Sequence, residues 1–253
     1  MTTINEASIW FPNVKFDPQA GLRLFCFPYA GGGNLIFRNW SANLPSQIEM
    51  CPVQLPCRGN RLREPGYTDM LVLAKALVPL IRPFLNKPFA FFGHSMGATL
   101  AFELSRELRR SDKLQPVHFF ASGRMAPHIP REEAPTYHLP EAEFIANLRK
   151  INGTPNEVLE HPELMQMMMP LLRADFEMVE TYKYLPDAPL DYPITVLGGL
   201  QDPDIPREHL EAWRQHTTAP FSLRMLPGDH FFINTAQSLI QLVIAQALYQ
   251  YIR

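Results

Sequence analysis

Cysteine, net charge and long apolar runs are all scarce in this sequence. Three cysteines, Cys26, Cys51 and Cys57, stand among 253 residues, an odd number with no C-x-x-C pair. That argues against a disulfide framework and for a reducing cytoplasm. No apolar stretch reaches the roughly 20 residues needed to span a bilayer. The opening residues Met1 to Glu6 lack the basic-then-apolar plan of a signal peptide. A formal net charge of -2 gives no footing for nucleic acid or an anionic membrane as partner. No internal repeat is visible. What the chain does have is a 46% hydrophobic share, enough for a globular core. Its 25 prolines are spread along the chain and mark turns and helix boundaries. The length suits one α/β domain with an insertion, or two small domains, and the chain is expected as a cytoplasmic monomer.

Short apolar runs alternate with helix-period segments. Leu22–Phe27, Ile48–Leu55, Phe89–Phe92 and Val117–Ser122 read as buried strands. Helices are expected through Phe37 and Trp40, over Leu71–Leu85, and from Ala98 onward. Such alternation implies βαβ units and a mostly parallel sheet with helices on both faces. It stops near Arg124. Helix patterns at Glu141–Ile151, Asn156–Glu160 and Leu164–Tyr184 follow, the last interrupted at Pro170, where a bend or restart is expected. Strand patterns resume at Ile194–Gly199 and Phe221–Leu226, with a helix containing Leu210 and Trp213 between them and a closing helix from Asn234 to Tyr251. The expected division is therefore a core of residues 1–123 and 191–253 with a helical lid, 124–190, inserted in it. Residues 1–20 read as a peripheral arm whose Trp10 and Phe11 pack an edge.

Chemistry concentrates at the carboxyl ends of these strands, where ligands bind in such sheets. Gly93-His94-Ser95-Met96-Gly97 is a G-x-S-x-G pattern between strand and helix, the context of a nucleophile elbow. A serine hydroxyl needs a base to take its proton, and His230 in Pro227-Gly228-Asp229-His230 is the candidate. The imidazole in turn needs a carboxylate at its far nitrogen. Asp202 is preferred, with Asp204 as competitor and Asp229 placed to face away. The order serine, acid, histidine is that of α/β-hydrolases. The tetrahedral oxyanion needs two donors; the Met96 amide is one and the Ala30 amide, in the turn Pro28 to Asn34, the second. That turn lacks the Lys-Ser/Thr of a P-loop and the G-x-G-x-x-G spacing of a dinucleotide site. His118, His128 and His216 read as packing or solvated residues.

These motifs, together with Leu171-Leu172-Arg173-Ala174-Asp175-Phe176 and Gly198-Gly199 ahead of Asp202, resemble those of type II thioesterases, the editing enzymes of nonribosomal peptide and polyketide synthases. The resemblance spans about residues 20 to 250. It implies an α/β-hydrolase fold with a helical lid, and hydrolysis of acyl groups from the phosphopantetheine arm of acyl- or peptidyl-carrier protein domains. It carries over Ser95, Asp202 and His230 as triad and Ala30 and Met96 as oxyanion donors, with no metal or cofactor beyond the substrate's own phosphopantetheine. One departure is Cys57, where the family usually has glycine; it bears on the loop's backbone and not on the triad. Met165, Met167, Met168 and Met169 suit either an adaptable acyl channel or ordinary helix core. Arg58, Arg61 and Arg63 read as a solvated loop or as a contact to an acidic carrier protein. The alternatives are a chain-terminating medium- or long-chain thioesterase of fatty-acid synthesis, a small-molecule carboxylesterase, or a non-catalytic module that binds acyl carriers.

Overall fold

A computed structural model describes residues 9–12, 14–154 and 156–252; the signal-peptide reading of Met1 to Glu6 falls outside them. Six strands form one parallel sheet: β1 (Leu22–Phe27), β2 (Ile48–Pro52), β3 (Phe89–His94), β4 (His118–Ser122), β5 (Ile194–Gly199) and β6 (Phe221–Leu226), in the order β2-β1-β3-β4-β5-β6. From β1 the chain steps outward to β2 and then crosses to β3 on the other side. The switch point therefore lies between β1 and β3, where Phe27 stands opposite Gly93.

The central strands are apolar on both faces because both faces are covered. On one, Phe25, Phe27, Phe91 and Phe119 pack beneath helices α1 (Met70–Ile81) and α2 (Met96–Asp112). On the other, Leu24, Phe92, Phe120 and Trp40 pack with the closing helix. That closing helix is two pieces, α7 (Phe232–Thr235) and α8 (Gln237–Leu248); α6 (Arg207–Glu211) carries Leu210. Asp69 caps α1, its carboxylate accepting the Leu71 and Val72 amides at 2.8 and 2.9 Å. Trp10 and Phe11 are buried, and Phe11 meets Phe25 edge-on at 5.6 Å.

Between β4 and β5 the described residues add no strand to the sheet. They form α3 (Glu141–Ile151), α4 (Asn156–Leu159) and α5 (Pro162–Glu180). Phe144, Leu148, Leu159, Met165 and Leu172 give this segment a small core of its own. Its return to the sheet is held by Arg109, which donates to the carbonyls of Ala188 and Pro189, and by Arg110 on Asp187. None of the described helices is long and apolar enough to cross a membrane.

Three expectations differ. The segment after the glycine turn forms two 3-10 turns, Asn34–Phe37 and Trp40–Asn43, instead of a helix. Helix α1 stops at Ile81 and tightens to a 3-10 turn over Arg82–Phe84, where Pro83 has no N–H to donate back along the helix. Helix α5 runs through Pro170 without a break. Pro170 lies on the exposed side, so the carbonyl it leaves unpaired faces water while Met165, Leu171 and Leu172 hold the other side in place.

His118 of β4 is a packing residue. Its ring stacks on Phe120 at 4.4 Å, Nε2 meets Thr195 Oγ1 at 2.9 Å, and Nδ1 is buried without a partner. Burial lowers its pKa from 6.5 to about 4. Between those values the unfolded chain binds a proton that the folded one refuses, so stability falls as pH falls. His118 alone should remove about 2 kcal/mol between pH 7 and pH 5. Urea unfolding of wild type and His118→Gln across that range checks this, with a shallower pH slope expected for the variant.

Candidate active site

The elbow is shaped by how closely two chain segments meet. A Cβ on Gly97 would lie 2.2 Å from the Phe27 carbonyl oxygen, so only glycine fits there. Ser95 is driven to φ 52°, ψ −116°, a region costing on the order of 1–3 kcal/mol for a non-glycine residue. The bend is held by the Ser95 amide, which donates to the Ser122 carbonyl at 2.7 Å. Met96 opens α2, so its amide is one of the first-turn donors that have no partner inside a helix.

Ser95, His230 and Asp202 are brought together from three strand ends. Ser95 Oγ lies 3.1 Å from His230 Nε2, and His230 Nδ1 lies 2.8 Å from Asp202 Oδ2. The Asp202 side chain is only 2% exposed, and its other oxygen accepts the Asp204 amide at 3.0 Å. A carboxylate at Nδ1 selects the tautomer whose Nε2 lone pair faces the serine. Asp204 is exposed, and so is Asp229, whose carboxylate accepts the Phe231 amide at 2.8 Å. Of the three candidate acids only Asp202 reaches the histidine.

His94, which the sequence reading passed over, braces this arrangement. It is fully buried, and burial, reinforced by the nearby His230, pushes its pKa well below 6.5. A neutral ring then donates from Nε2 to the His230 carbonyl at 2.9 Å and accepts at Nδ1 from the Ser122 hydroxyl at 2.9 Å. β3, which ends at His94 beside Ser95, thus holds the backbone of His230.

The arginine loop corrects the sequence reading. Arg58 is 5% exposed and grips Asp175 of α5 with two bonds, 2.7 and 2.9 Å long. Arg61 is also buried, bonded to Glu64 and to the Gln54 carbonyl, with its guanidinium 4.0 Å above the Trp10 ring. Only Arg63 is exposed. A loop rich in arginine reads as solvated unless its distant partner is known, and Asp175 lies 117 residues away. Cys57 keeps the conformation that the usual glycine favours, at φ 65°, with its amide donating to the Arg61 carbonyl at 3.0 Å.

The methionine run packs mostly into the insertion's own core. Met165 is buried there, Met168 and Met169 lie against it, and Met167 faces solvent. A cavity of about 720 Å³ opens elsewhere, between residues 124–131 and 179–184. Arg124 stands in its wall, its Nε donating to Thr99 Oγ1 at 3.1 Å. Burial lowers its pKa to about 10, with Arg131 adding to the shift. Among the described residues no carboxylate forms an ion pair with Arg124. A single arginine after a strand carries no sequence signal of this kind.

Comparison with known proteins agrees with these features. The profile of the thioesterase domain family matches residues 22–247. A protein named linear gramicidin dehydrogenase LgrE, from Brevibacillus parabrevis, is 49% identical over 97% of this chain and 94% of its own. The gramicidin S biosynthesis protein GrsT, from Aneurinibacillus migulanus, is 46% identical over 92% and 91%. The solved type II thioesterase BorB, from the borrelidin biosynthetic cluster, is 36% identical with a TM-score of 0.84, covering 92% and 94%. The dehydrogenase in the first name finds no dinucleotide fingerprint here, because the glycine turn has the wrong spacing. A family profile over nearly the whole chain and a superposable type II enzyme lead to one conclusion: the chain belongs to the thioesterase family, among the type II thioesterases of nonribosomal peptide and polyketide synthase clusters.

Proposed function

We propose that this thioesterase clears acyl groups from the phosphopantetheine arm of synthase carrier domains by nucleophilic catalysis at Ser95. The observation that carries the reading is the continuous chain from Ser95 Oγ through His230 to the buried Asp202 carboxylate. His230 takes the Ser95 proton as Oγ attacks the thioester carbonyl carbon. The negative charge passes to the carbonyl oxygen, which the Met96 and Ala30 amides receive. The intermediate collapses, the C–S bond breaks, and the His230 proton goes to the leaving pantetheine sulfur. A water molecule then gives a proton to His230 and attacks the acyl-serine, releasing the carboxylic acid and restoring Ser95. Asp202 stabilises the imidazolium formed in each half.

The insertion, residues 124–190, acts as a lid in this reading. We assign the acyl group to the cavity beside Arg124. Thr99, which holds Arg124, is four residues past Ser95, about one helical turn of 5.4 Å along α2. The cavity lining mixes Met125, Ile129 and Val179 with Arg124 and His128, which suits short acyl groups of varied polarity.

Three measurements test the proposal. Ser95→Ala should leave carrier proteins loaded with acetyl, aminoacyl, medium-chain or long-chain groups uncleared; clearance at the wild-type rate would sink the nucleophile assignment. Asp202→Asn should lower kcat by about 10⁴, as loss of the orienting carboxylate does in such triads, while Asp204→Asn stays within about twofold. Arg124→Leu should shift the ratio of kcat/KM across the panel toward apolar acyl groups, and an unchanged ratio would remove the cavity from the substrate path.

A further inference from the structure

The glycine turn that carries Ala30 does not stand alone. The Gly32 amide donates to the Tyr29 carbonyl at 2.9 Å, closing a four-residue turn with Ala30 and Gly31 at its centre. Gly31 has φ 78°, the value a type II turn requires at its third residue. The middle peptide of such a turn rotates at little cost when nothing holds it, and its N–H is that of Gly31. Here that N–H donates to Asp175 Oδ2 at 2.7 Å. Asp175 belongs to α5 of the insertion, 144 residues away in sequence. The same carboxylate takes two bonds from Arg58, whose Nη1 also donates to the Gly32 carbonyl at 2.7 Å. Both sides of the turn are thereby gripped.

The insertion presses on this turn a second time. Leu172, three residues before Asp175 and so on the same helix face, lies where a Cβ on Gly31 would be 2.8 Å from its Cδ2. A carboxylate 1% exposed and a guanidinium 5% exposed are a costly way to gain stability, since desolvation offsets most of the attraction. Their geometry serves position instead.

We propose that Asp175 is a positioning residue that makes the oxyanion site conditional on the lid: with α5 seated, the Gly31 amide is fixed and the neighbouring Ala30 amide is aimed at the developing oxyanion. With α5 displaced, Asp175 leaves, the turn as a whole loses its tether to the insertion, and the Tyr29–Ala30 peptide that carries the donor N–H shifts, so Ser95 keeps its base but loses one donor. Hydrolysis is thereby restricted to the closed enzyme. The proposal rests on the reading of Ser95 as nucleophile and Ala30 as donor.

The test uses the full chain, an acyl-carrier thioester, and an aryl boronic acid that adds to a serine hydroxyl as a tetrahedral mimic. Asp175→Ala should lower kcat about 10²-fold with KM changed less than about threefold, and weaken boronate binding by a similar factor, the size expected for one oxyanion donor. Asp175→Asn keeps an oxygen for the Gly31 amide and should recover kcat to within about tenfold of wild type, although it breaks the ion pair and lowers Tm. If Asp175→Ala fails to fold, the double variant Asp175→Leu with Arg58→Met replaces the pair by apolar groups of similar size, a change that buried ion pairs tolerate. It should fold and still show the kcat and boronate losses. Folded Asp175→Ala, or the folded double variant, with kcat within threefold of wild type overturns the proposal. So does a kcat loss without loss of boronate affinity, or a loss that Asn does not recover. Wild-type enzyme inactive on every carrier thioester would instead overturn the function proposed above.

Discussion

The contact between Gly97 and the Phe27 carbonyl is the constraint on which the site depends. It brings the end of β1 against the first turn of α2, at the point where the strand order reverses. Ser95 is bent to positive φ, the α2 amides are turned toward the same space, and the glycine turn that follows β1 is placed beside them. The strain in one residue is offset by the packing of the whole sheet, which is apolar on both faces and cannot give way locally. A serine on a flexible loop would not keep its hydroxyl 3.1 Å from a histidine that sits 135 residues further along the chain.

Around that contact, three buried polar groups connect segments distant in sequence. His94 links β3 to the backbone of His230, Asp202 links the loop after β5 to the His230 imidazole, and Asp175 links the insertion to the turn after β1. Each lies between segments that hydrophobic packing brings near without fixing to a fraction of an ångström. Hydrogen bonds supply the remaining precision, and their net stabilisation of about 1 kcal/mol each matters less than their direction.

The sheet was legible in the sequence because β1, β3, β4 and β5 are buried on both faces and read as mostly apolar runs. Ser95 and His230 were legible because each has a local signature at a strand end. Asp202 was ranked above Asp204 by placement alone, and geometry now separates them. What could not be read were pairings between distant charges. Arg58 and Asp175 each look solvated in their own segment, and only the fold reveals them as partners. Helix ends at Pro83 and the continuity at Pro170 differed for a related reason: both prolines are exposed, yet one helix ends before the first and another runs through the second, where Leu171 and Leu172 are packed, and packing is a tertiary property. Cys57 shows the converse, a side chain of the wrong type held in a glycine-like backbone by a fixed loop.

The small cluster of Phe144, Leu148, Leu159, Met165 and Leu172 is separate from both cores of the sheet. Substitutions at Phe144, Leu148, Leu159 or Met165 change the fit of three helices to one another, whereas Leu172 also meets the turn that follows β1. In evolutionary terms those four positions are free to drift. Their neighbours Leu172 and Asp175 are not, because both lie against the turn that follows β1.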